Sequence, residues 1–135
     1  MTLDLLIDSD ALIALRRLSL WTEILRSSAS VACCGYAARH ELNSIWSSEL
    51  EPLVKAKRVA IHEVVTRTPA NDTRKTFIAA GVDKGEAEAL AWLVHQPECP
   101  VFVSVDRRAL TEARDKGLIC ADLGELAALL IARGL

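Results

Sequence analysis

The sequence has no long apolar run and no segment that reads as a linker. None of its apolar stretches approaches the roughly 20 residues that a membrane-spanning helix needs, and its start, Met1 to Asp4, lacks the basic residues of a signal peptide. Internal repeats and low-complexity tracts are missing as well. We therefore predict a single domain over residues 1–135 that is soluble, lies in the cytoplasm and makes no contact with a membrane.

Metal-binding cysteine motifs are also missing. The chain contains no CxxC pair and no cysteines and histidines at the spacing of a zinc site, and its three histidines are dispersed. We expect its four cysteines to be small buried apolar residues in strands or close to a strand. They are Cys33, Cys34, Cys99 and Cys120.

Positive charge is not in excess. The 16 basic and 18 acidic side chains give a formal net charge of -2, which excludes a broad basic surface for nucleic acid. Any contact with nucleic acid must then come from local clusters of cations. The rest of the composition, 51% hydrophobic and 25% charged residues, is typical of a globular domain and excludes a disordered chain.

Apolar runs alternate with amphipathic segments along the whole chain. This alternation indicates a parallel sheet between two layers of helices, joined by right-handed crossovers. We predict an α/β fold, a three-layer α/β/α sandwich with a central parallel sheet of about five strands. The predicted strands cover residues 3–7, 30–34, 59–65, 101–105 and 118–121. The predicted helices cover residues 11–18, 21–25, 36–53, a segment from a turn at 69–72 to about 80, 84–95, 107–116 and 123–133.

Two acidic residues share a special position, because each follows an apolar strand and directly precedes a helix. Asp8 follows the first predicted strand, and Asp106 follows the fourth. The ends of parallel strands lie at one edge of the sheet, where open α/β sheets bind their ligands, so the two carboxylates can meet at one ion. The alternative for each is a simple N-cap role. For the first helix we predict Ser9 and Asp10 as N-cap residues.

Two glutamates on predicted helices complete the candidate set. Glu41 lies on an apolar stripe, where an acid is costly to desolvate unless it is paired or binds a cation; the alternative is that it reaches water at the edge of the stripe. Glu86 and Glu88 are separated by about 200° around a helix, so they cannot both face one site. We favour Glu86, which lies next to Leu90, and expect Glu88 on the outer side of its helix.

Four short motifs occur in an order that resembles the PIN domain, a family of small nucleases that includes the VapC-type toxins of toxin–antitoxin pairs. The motifs are Ile7-Asp-Ser-Asp-Ala-Leu-Ile13, Arg39-His-Glu-Leu42, Gly85-Glu-Ala-Glu-Ala-Leu-Ala91 and Val103-Ser-Val-Asp-Arg107. No single motif is specific. The resemblance nevertheless covers nearly the whole chain, including the last predicted strand and helix.

The resemblance implies an acidic pocket that holds Mg²⁺ or Mn²⁺. The small hydroxyl residue that the family places two positions before its last acid maps onto Ser104. The four acids of the family would act both as metal ligands and as catalytic residues. They map onto Asp8, Glu41, Glu86 and Asp106.

This sequence departs from the family pattern at two positions. The third acid of the family is usually Asp and is Glu86 here, which leaves Glu88 as its rival. Asp10 stands where Ser, Thr or Asn is common, so it either joins the metal site or caps the helix.

The activity that the resemblance implies is metal-dependent hydrolysis of RNA phosphodiester bonds by an endonuclease. An acidic pocket needs cations beside it to hold RNA, and phosphate contacts add affinity without sequence choice. The candidates for these contacts are Arg107, Arg108 and Lys84. The resemblance to the toxins of this family also implies two kinds of partner: an antitoxin protein and a second copy of the chain.

Two alternative functions remain open at this point. The pair Asp8 and Asp10 also resembles the DxD motif of haloacid-dehalogenase-like phosphatases, in which the first acid is the nucleophile. That chemistry requires a lysine near a later strand end, and Lys84 and Lys116 are poorly placed for it. The other alternative is a PIN-like binding subunit that keeps the fold and has no catalytic activity.

Overall fold

The centre of the molecule is a five-stranded sheet whose strands are all parallel, in the order β3-β2-β1-β4-β5. This computed structural model describes residues 3–96 and 100–134. Cys99, which the sequence analysis expects to be buried, lies outside these residues. The strands are β1 (Asp4–Ile7), β2 (Ser30–Cys34), β3 (Val59–His62), β4 (Val101–Val103) and β5 (Cys120–Ala121).

Helices connect consecutive strands, as the alternation in the sequence predicts. Two stretches of π-helix, π1 (Ala37–Glu41) and π2 (Trp46–Leu50), lie between β2 and β3. The α-helices are α1 (Ser9–Arg17), α2 (Leu20–Arg26), α3 (Asn43–Ile45), α4 (Glu51–Lys55), α5 (Pro69–Ala79), α6 (Lys84–Val94), α7 (Arg107–Asp115) and α8 (Leu123–Ala132). Among the described residues, no helix combines the length and the apolar character required to span a bilayer.

The sheet separates two apolar cores. One contains Leu5 and Ile7 of β1 and side chains from α1, α2 and α8; the other contains Leu6 of β1, together with Phe102 of β4 and side chains from α5, α6 and α7. Successive side chains of a strand point to opposite faces, and both faces are covered here, which explains why the strands are apolar without alternation. The predicted three-layer α/β/α sandwich is therefore confirmed.

The segment from Tyr36 to Leu53 is the largest departure from the predicted elements. The sequence predicts one continuous helix, whereas the structure contains π1, α3, π2 and α4 in succession. Leu42, which separates π1 from α3, has φ -109° and ψ 19° and is buried. A π turn adds one residue to the helical turn, so a uniform helical period could not predict where Glu41, the last residue of π1, would point.

The start of two helices also differs from the prediction. Asp8 itself is the N-cap of α1, and its side chain accepts a hydrogen bond from the Ala11 backbone N–H. The predicted caps, Ser9 and Asp10, are the first two residues of the helix. Similarly, Pro69 begins α5 instead of forming a turn, because proline at the first helical position has no N–H to leave unpaired.

Candidate metal centre

Asp8 and Asp106 lie at the ends of neighbouring strands in the middle of the sheet. The chain runs outward from β1 to β2 and β3, then returns to pair β4 with the other side of β1. The gap between β1 and β4 is the point where the strand order reverses, and ligands of open α/β sheets bind at such points. Asp8 directly follows β1, and Asp106 is the N-cap of α7 after β4.

Both acids act as N-caps, and Ser104 joins them. The Asp8 and Asp106 Oδ1 atoms accept hydrogen bonds from the Ala11 and Ala109 backbone N–H groups at 2.9 and 3.0 Å. The Ser104 hydroxyl, fully buried, donates to Asp8 Oδ2 and accepts from the Asp106 backbone N–H at 3.0 Å. Capping and a shared site are therefore compatible for these two residues.

Glu86 is a buried acid of the cluster with an oxygen that is unpaired in the described structure. Its side chain is 2% exposed, and its Oε2 has no hydrogen-bond partner among the described residues. Burial, together with the negative charges of Asp8, Glu41 and Asp106, raises its pKa from 4.5 to about 7. The four predicted acids therefore lie close enough to one another for their charges to interact.

A fifth acid, which the sequence analysis missed, completes a compact group. Asp83, Glu86 and Asp106 each offer one carboxylate oxygen, and these three oxygens lie within 4.8 Å of one another. Asp83 is the N-cap residue of α6, but its side chain makes no capping hydrogen bond. The signal was present in the sequence, because Asp83 directly precedes a predicted helix, as Asp106 does. These three acids could hold a divalent metal ion.

Asp8 contributes negative charge to this group, but its own carboxylate is buried and hydrogen-bonded. It is 3% exposed, and both of its carboxylate oxygens already accept hydrogen bonds, from Ala11 and Ser104. Burial raises its pKa from 3.8 to about 6, with additional repulsion from Asp10 and Asp106. Asp10 is exposed on α1 and caps no helix.

Glu41 lies at the rim of the cluster. The Ser9 hydroxyl donates a hydrogen bond to Glu41 Oε1 at 3.0 Å. Glu41 Cδ lies only 2.9 Å from the position that a Cβ on Gly85 would occupy. Burial raises the pKa of Glu41, and the charges of Asp10 and Asp83 act in the same direction. Glu41 is therefore held beside α6 and is not one of the three closely spaced ligands.

The prediction that Glu88 lies on the outer side of its helix was wrong. Its side chain is 4% exposed, and its two carboxylate oxygens accept hydrogen bonds from the Tyr36 and Val64 backbone N–H groups at 2.9 and 3.3 Å. The helical period assumes one solvent-facing side, but every residue from Gly85 to Ala91 of α6 is buried. Glu86 faces the acidic group, and Glu88 links α6 to the chain segments after β2 and β3.

We expect the variant Glu88→Gln to destabilise the fold. A glutamine amide can accept only one of the two backbone hydrogen bonds, and its NH₂ group would face the other N–H donor. The free energy of unfolding in urea should fall by about 1–3 kcal/mol. Glu23→Gln, at a side chain that is 64% exposed, is the control and should change it by less than about 0.5 kcal/mol. Equal effects of the two variants would contradict the assigned role of Glu88.

Three exposed cations flank the acids. Lys84 is the first residue of α6, directly after Asp83, and Arg107 and Arg108 begin α7, directly after Asp106. None of the three forms an ion pair within the described part of the chain. Cations at a helix N-terminus are unfavourable to the helix dipole, so their positions are not explained by helix stability.

No protein-family model matches this chain, and no curated protein shows a significant match to it. A solved structure that is similar to it is the crystal structure of PAE2754 from Pyrobaculum aerophilum, with a TM-score of 0.61 and 16% sequence identity. The match covers 98% of this chain and 99% of that chain. The two proteins share the fold. At this level of identity, the similarity carries no information on activity.

The residues present fit a divalent cation. The donor set consists of carboxylate oxygens, which hard cations prefer. Glu86, one of its members, also has a buried oxygen, Oε2, without a hydrogen-bond donor among the described residues. An unpaired buried charge is costly. Burial and the neighbouring negative charges raise the pKa of both Glu86 and Asp8, and a bound cation would act in the opposite direction.

Proposed function

We propose that this protein is a divalent-metal-dependent ribonuclease that hydrolyses phosphodiester bonds in RNA and uses Mg²⁺ or Mn²⁺. The observation that carries the proposal is the buried carboxylate of Glu86, whose Oε2 has no hydrogen-bond partner among the described residues, beside Asp83 and Asp106 at the point where the strand order reverses. The choice of RNA comes from the resemblance of the four sequence motifs to the PIN domain.

The acids would have different roles in such a site. Asp83, Glu86 and Asp106 would hold the ion, with the charges of Asp8 and Glu41 acting on it from further away. A bound divalent ion lowers the pKa of water and offsets the negative charge that develops on the phosphate. Glu41, an exposed residue outside the closely spaced group, is the candidate acceptor for the proton of the attacking water.

Lys84, Arg107 and Arg108 are the proposed contacts to RNA phosphates. Each is exposed, lies within three residues of a metal-site acid in sequence and has no ion pair in the described ranges 3–96 and 100–134. Phosphate contacts supply affinity that depends on salt and not on base sequence. A small group of cations is consistent with a chain whose net charge is -2.

We expect Arg107→Gln to weaken RNA binding without changing sequence preference. The loss of one phosphate contact should lower the slope of log affinity against log salt by about one. Binding to a labelled oligonucleotide in Ca²⁺, at several salt concentrations, would measure this slope. Lys116→Gln is the control, because Lys116 is exposed at the opposite end of α7. An unchanged slope for Arg107→Gln would remove this residue from the interface.

The proposed ribonuclease activity is tested with matched N-cap variants. Asp106 and Asp122 both cap a helix by accepting a hydrogen bond from a backbone N–H, at 3.0 and 2.8 Å, but only Asp106 belongs to the metal group. Asparagine caps a helix as well as aspartate. With Mn²⁺ or Mg²⁺, Asp106→Asn should cleave RNA at least about tenfold more slowly, and Asp122→Asn should match the wild type.

Cleavage by the wild type should also stop in chelator. Cleavage that persists in chelator, or equal cleavage by Asp106→Asn, would contradict the proposed mechanism. A folded wild type that binds metal but cleaves no RNA would favour the non-catalytic binding subunit. No observation favours Asp8 as a phosphatase nucleophile, because both of its oxygens accept hydrogen bonds and its side chain is 3% exposed.

The cellular role that we propose is that of the toxin in a toxin–antitoxin pair, with an antitoxin protein as partner and pairing of two copies. This part of the proposal rests on the resemblance to VapC-type toxins. The cytoplasm is the proposed location, and the free thiols of Cys33, Cys34 and Cys120 are consistent with a reducing compartment. A neighbouring gene for a small DNA-binding protein, whose product inhibits the ribonuclease, would support the role.

A further inference from the structure

Glu41 is held at the acidic cluster by two residues that belong to other elements. Ser9 is the first residue of α1, is 2% exposed and donates its hydroxyl to Glu41 Oε1 at 3.0 Å. Gly85 is the second residue of α6 and lies directly against the Glu41 carboxylate. Glu41 ends π1, so the contact joins three separate segments of the chain.

Gly85 has no conformational reason to be glycine. Its φ is not positive, because the positive-φ glycines of the described chain are at other positions, and it lies within the first turn of a helix. Glycine at such a position lowers helix stability relative to alanine. A Cβ at Gly85 would overlap Glu41 Oε1 and lie 2.9 Å from Glu41 Cδ. The missing side chain therefore provides the space that the Glu41 carboxylate occupies.

Without the contacts to Ser9 and Gly85, the surroundings of Glu41 would favour movement of its carboxylate away from the acidic cluster. The negative charges of Asp10 and Asp83 repel it, and its side chain is exposed enough to turn toward water. The hydrogen bond from Ser9 opposes this movement, since a hydrogen bond to a charged group is stronger than one between neutral groups. The carboxylate is thereby kept beside the residue that precedes Glu86, where its charge acts on Glu86.

We propose that Ser9 and Gly85 are positioning residues that hold the Glu41 carboxylate at the metal group and thereby increase the affinity of the site for a divalent cation. The proposal rests on the proposed function, because it assumes that the acidic group binds a cation. Ser9 and Gly85 act through Glu41 and do not themselves contact the ion.

The test measures Mn²⁺ binding to the full chain by isothermal titration calorimetry, with free Mn²⁺ followed by electron paramagnetic resonance. We expect Ser9→Ala and Gly85→Ala each to weaken Mn²⁺ binding about tenfold, the lower end of the losses seen when residues around the metal ligands are changed. Thermal unfolding in chelator, followed by circular dichroism, establishes that each variant folds. If Gly85→Ala does not fold, Ser9→Ala carries the test alone.

Gly124 provides a matched control for Gly85. It is likewise the second residue of its helix, α8, but the nearest atom to a Cβ built on it is Asp122 Oδ1 at 3.5 Å, an ordinary contact. Gly124→Ala should leave the affinity for Mn²⁺ unchanged. The same effect of both alanine variants would show that the loss arises from helix chemistry and would overturn the role of Gly85.

A double variant distinguishes positioning from a general structural effect. If Ser9 acts through Glu41, then Ser9→Ala should cause no further loss of Mn²⁺ affinity in a Glu41→Ala background. A further tenfold loss in that background, or wild-type affinity of both Ser9→Ala and Gly85→Ala, would overturn the inference. A wild type that binds no Mn²⁺ would instead contradict the proposed function, so the two failures are distinguishable.

Discussion

Replacing Glu86 by glutamine is expected to stabilise the metal-free protein at pH 8 by about 2 kcal/mol and to slow metal-dependent RNA cleavage about a hundredfold. Stability and activity should therefore change in opposite directions. Ionised Glu86 is buried among Asp8, Glu41 and Asp106, and its Oε2 has no partner in the described structure. A neutral amide of the same shape removes this repulsion, but it also removes the charge that would bind the cation.

Glu88→Gln is the matched control for this prediction, because Glu88 lies two residues away on the same helix and is also buried. Its carboxylate is fully hydrogen-bonded to backbone N–H groups, so its replacement should destabilise the fold. Urea denaturation of both variants in chelator, with RNA cleavage assayed in Mn²⁺, measures both effects. A destabilised Glu86→Gln protein would show that Glu86 has a partner that stabilises its charge.

The second large effect is the pH dependence of stability with and without metal. In the folded protein the pKa values of Asp8 and Glu86 are about 6 and about 7, above their ordinary values of 3.8 and 4.5. Between about pH 4 and about pH 7, the folded state therefore binds more protons than the unfolded chain. The free energy of unfolding of the metal-free protein should therefore fall as the pH rises from about 4 to about 7.

A divalent cation should reverse this trend. The ion binds deprotonated carboxylates, so its contribution increases as the pH rises through the pKa values of Asp8 and Glu86. At a concentration about 100 times its dissociation constant, the cation should add about 2.7 kcal/mol to the free energy of unfolding at pH 8. The added stability should largely disappear at pH 5, where both carboxylates are protonated.

Thermal unfolding at pH 5, 6, 7 and 8, in chelator and in Mn²⁺, measures both profiles. Glu86→Gln should flatten the chelator profile above pH 6, which assigns the effect to this residue. Metal-free stability that rises across the same pH range, or a metal contribution that does not depend on pH, would contradict the electrostatic description of the site.

The parts of this protein that its sequence determines are those governed by local pattern. The apolar runs predict the five strands, and their alternation with helices predicts the parallel sheet with helices on both faces. The positions of Asp8 and Asp106 after β1 and β4 place both acids at one edge of that sheet. The capping box of Asp122 and Glu125 at the start of α8 is also a local feature, because it depends on residues three positions apart.

Tertiary structure decided which side chains share the acidic group that could hold a metal ion and how they are held. The helical period could not show that α6 is buried on nearly all sides. Glu88 was therefore predicted to face solvent, although its carboxylate accepts hydrogen bonds from backbone N–H groups after β2 and β3. The approach of Asp83 to Glu86 and Asp106, and the space that Gly85 leaves for Glu41, depend on distances between separate elements. Such distances are fixed only when the layers pack, because a local pattern specifies the face of an element and not its neighbour.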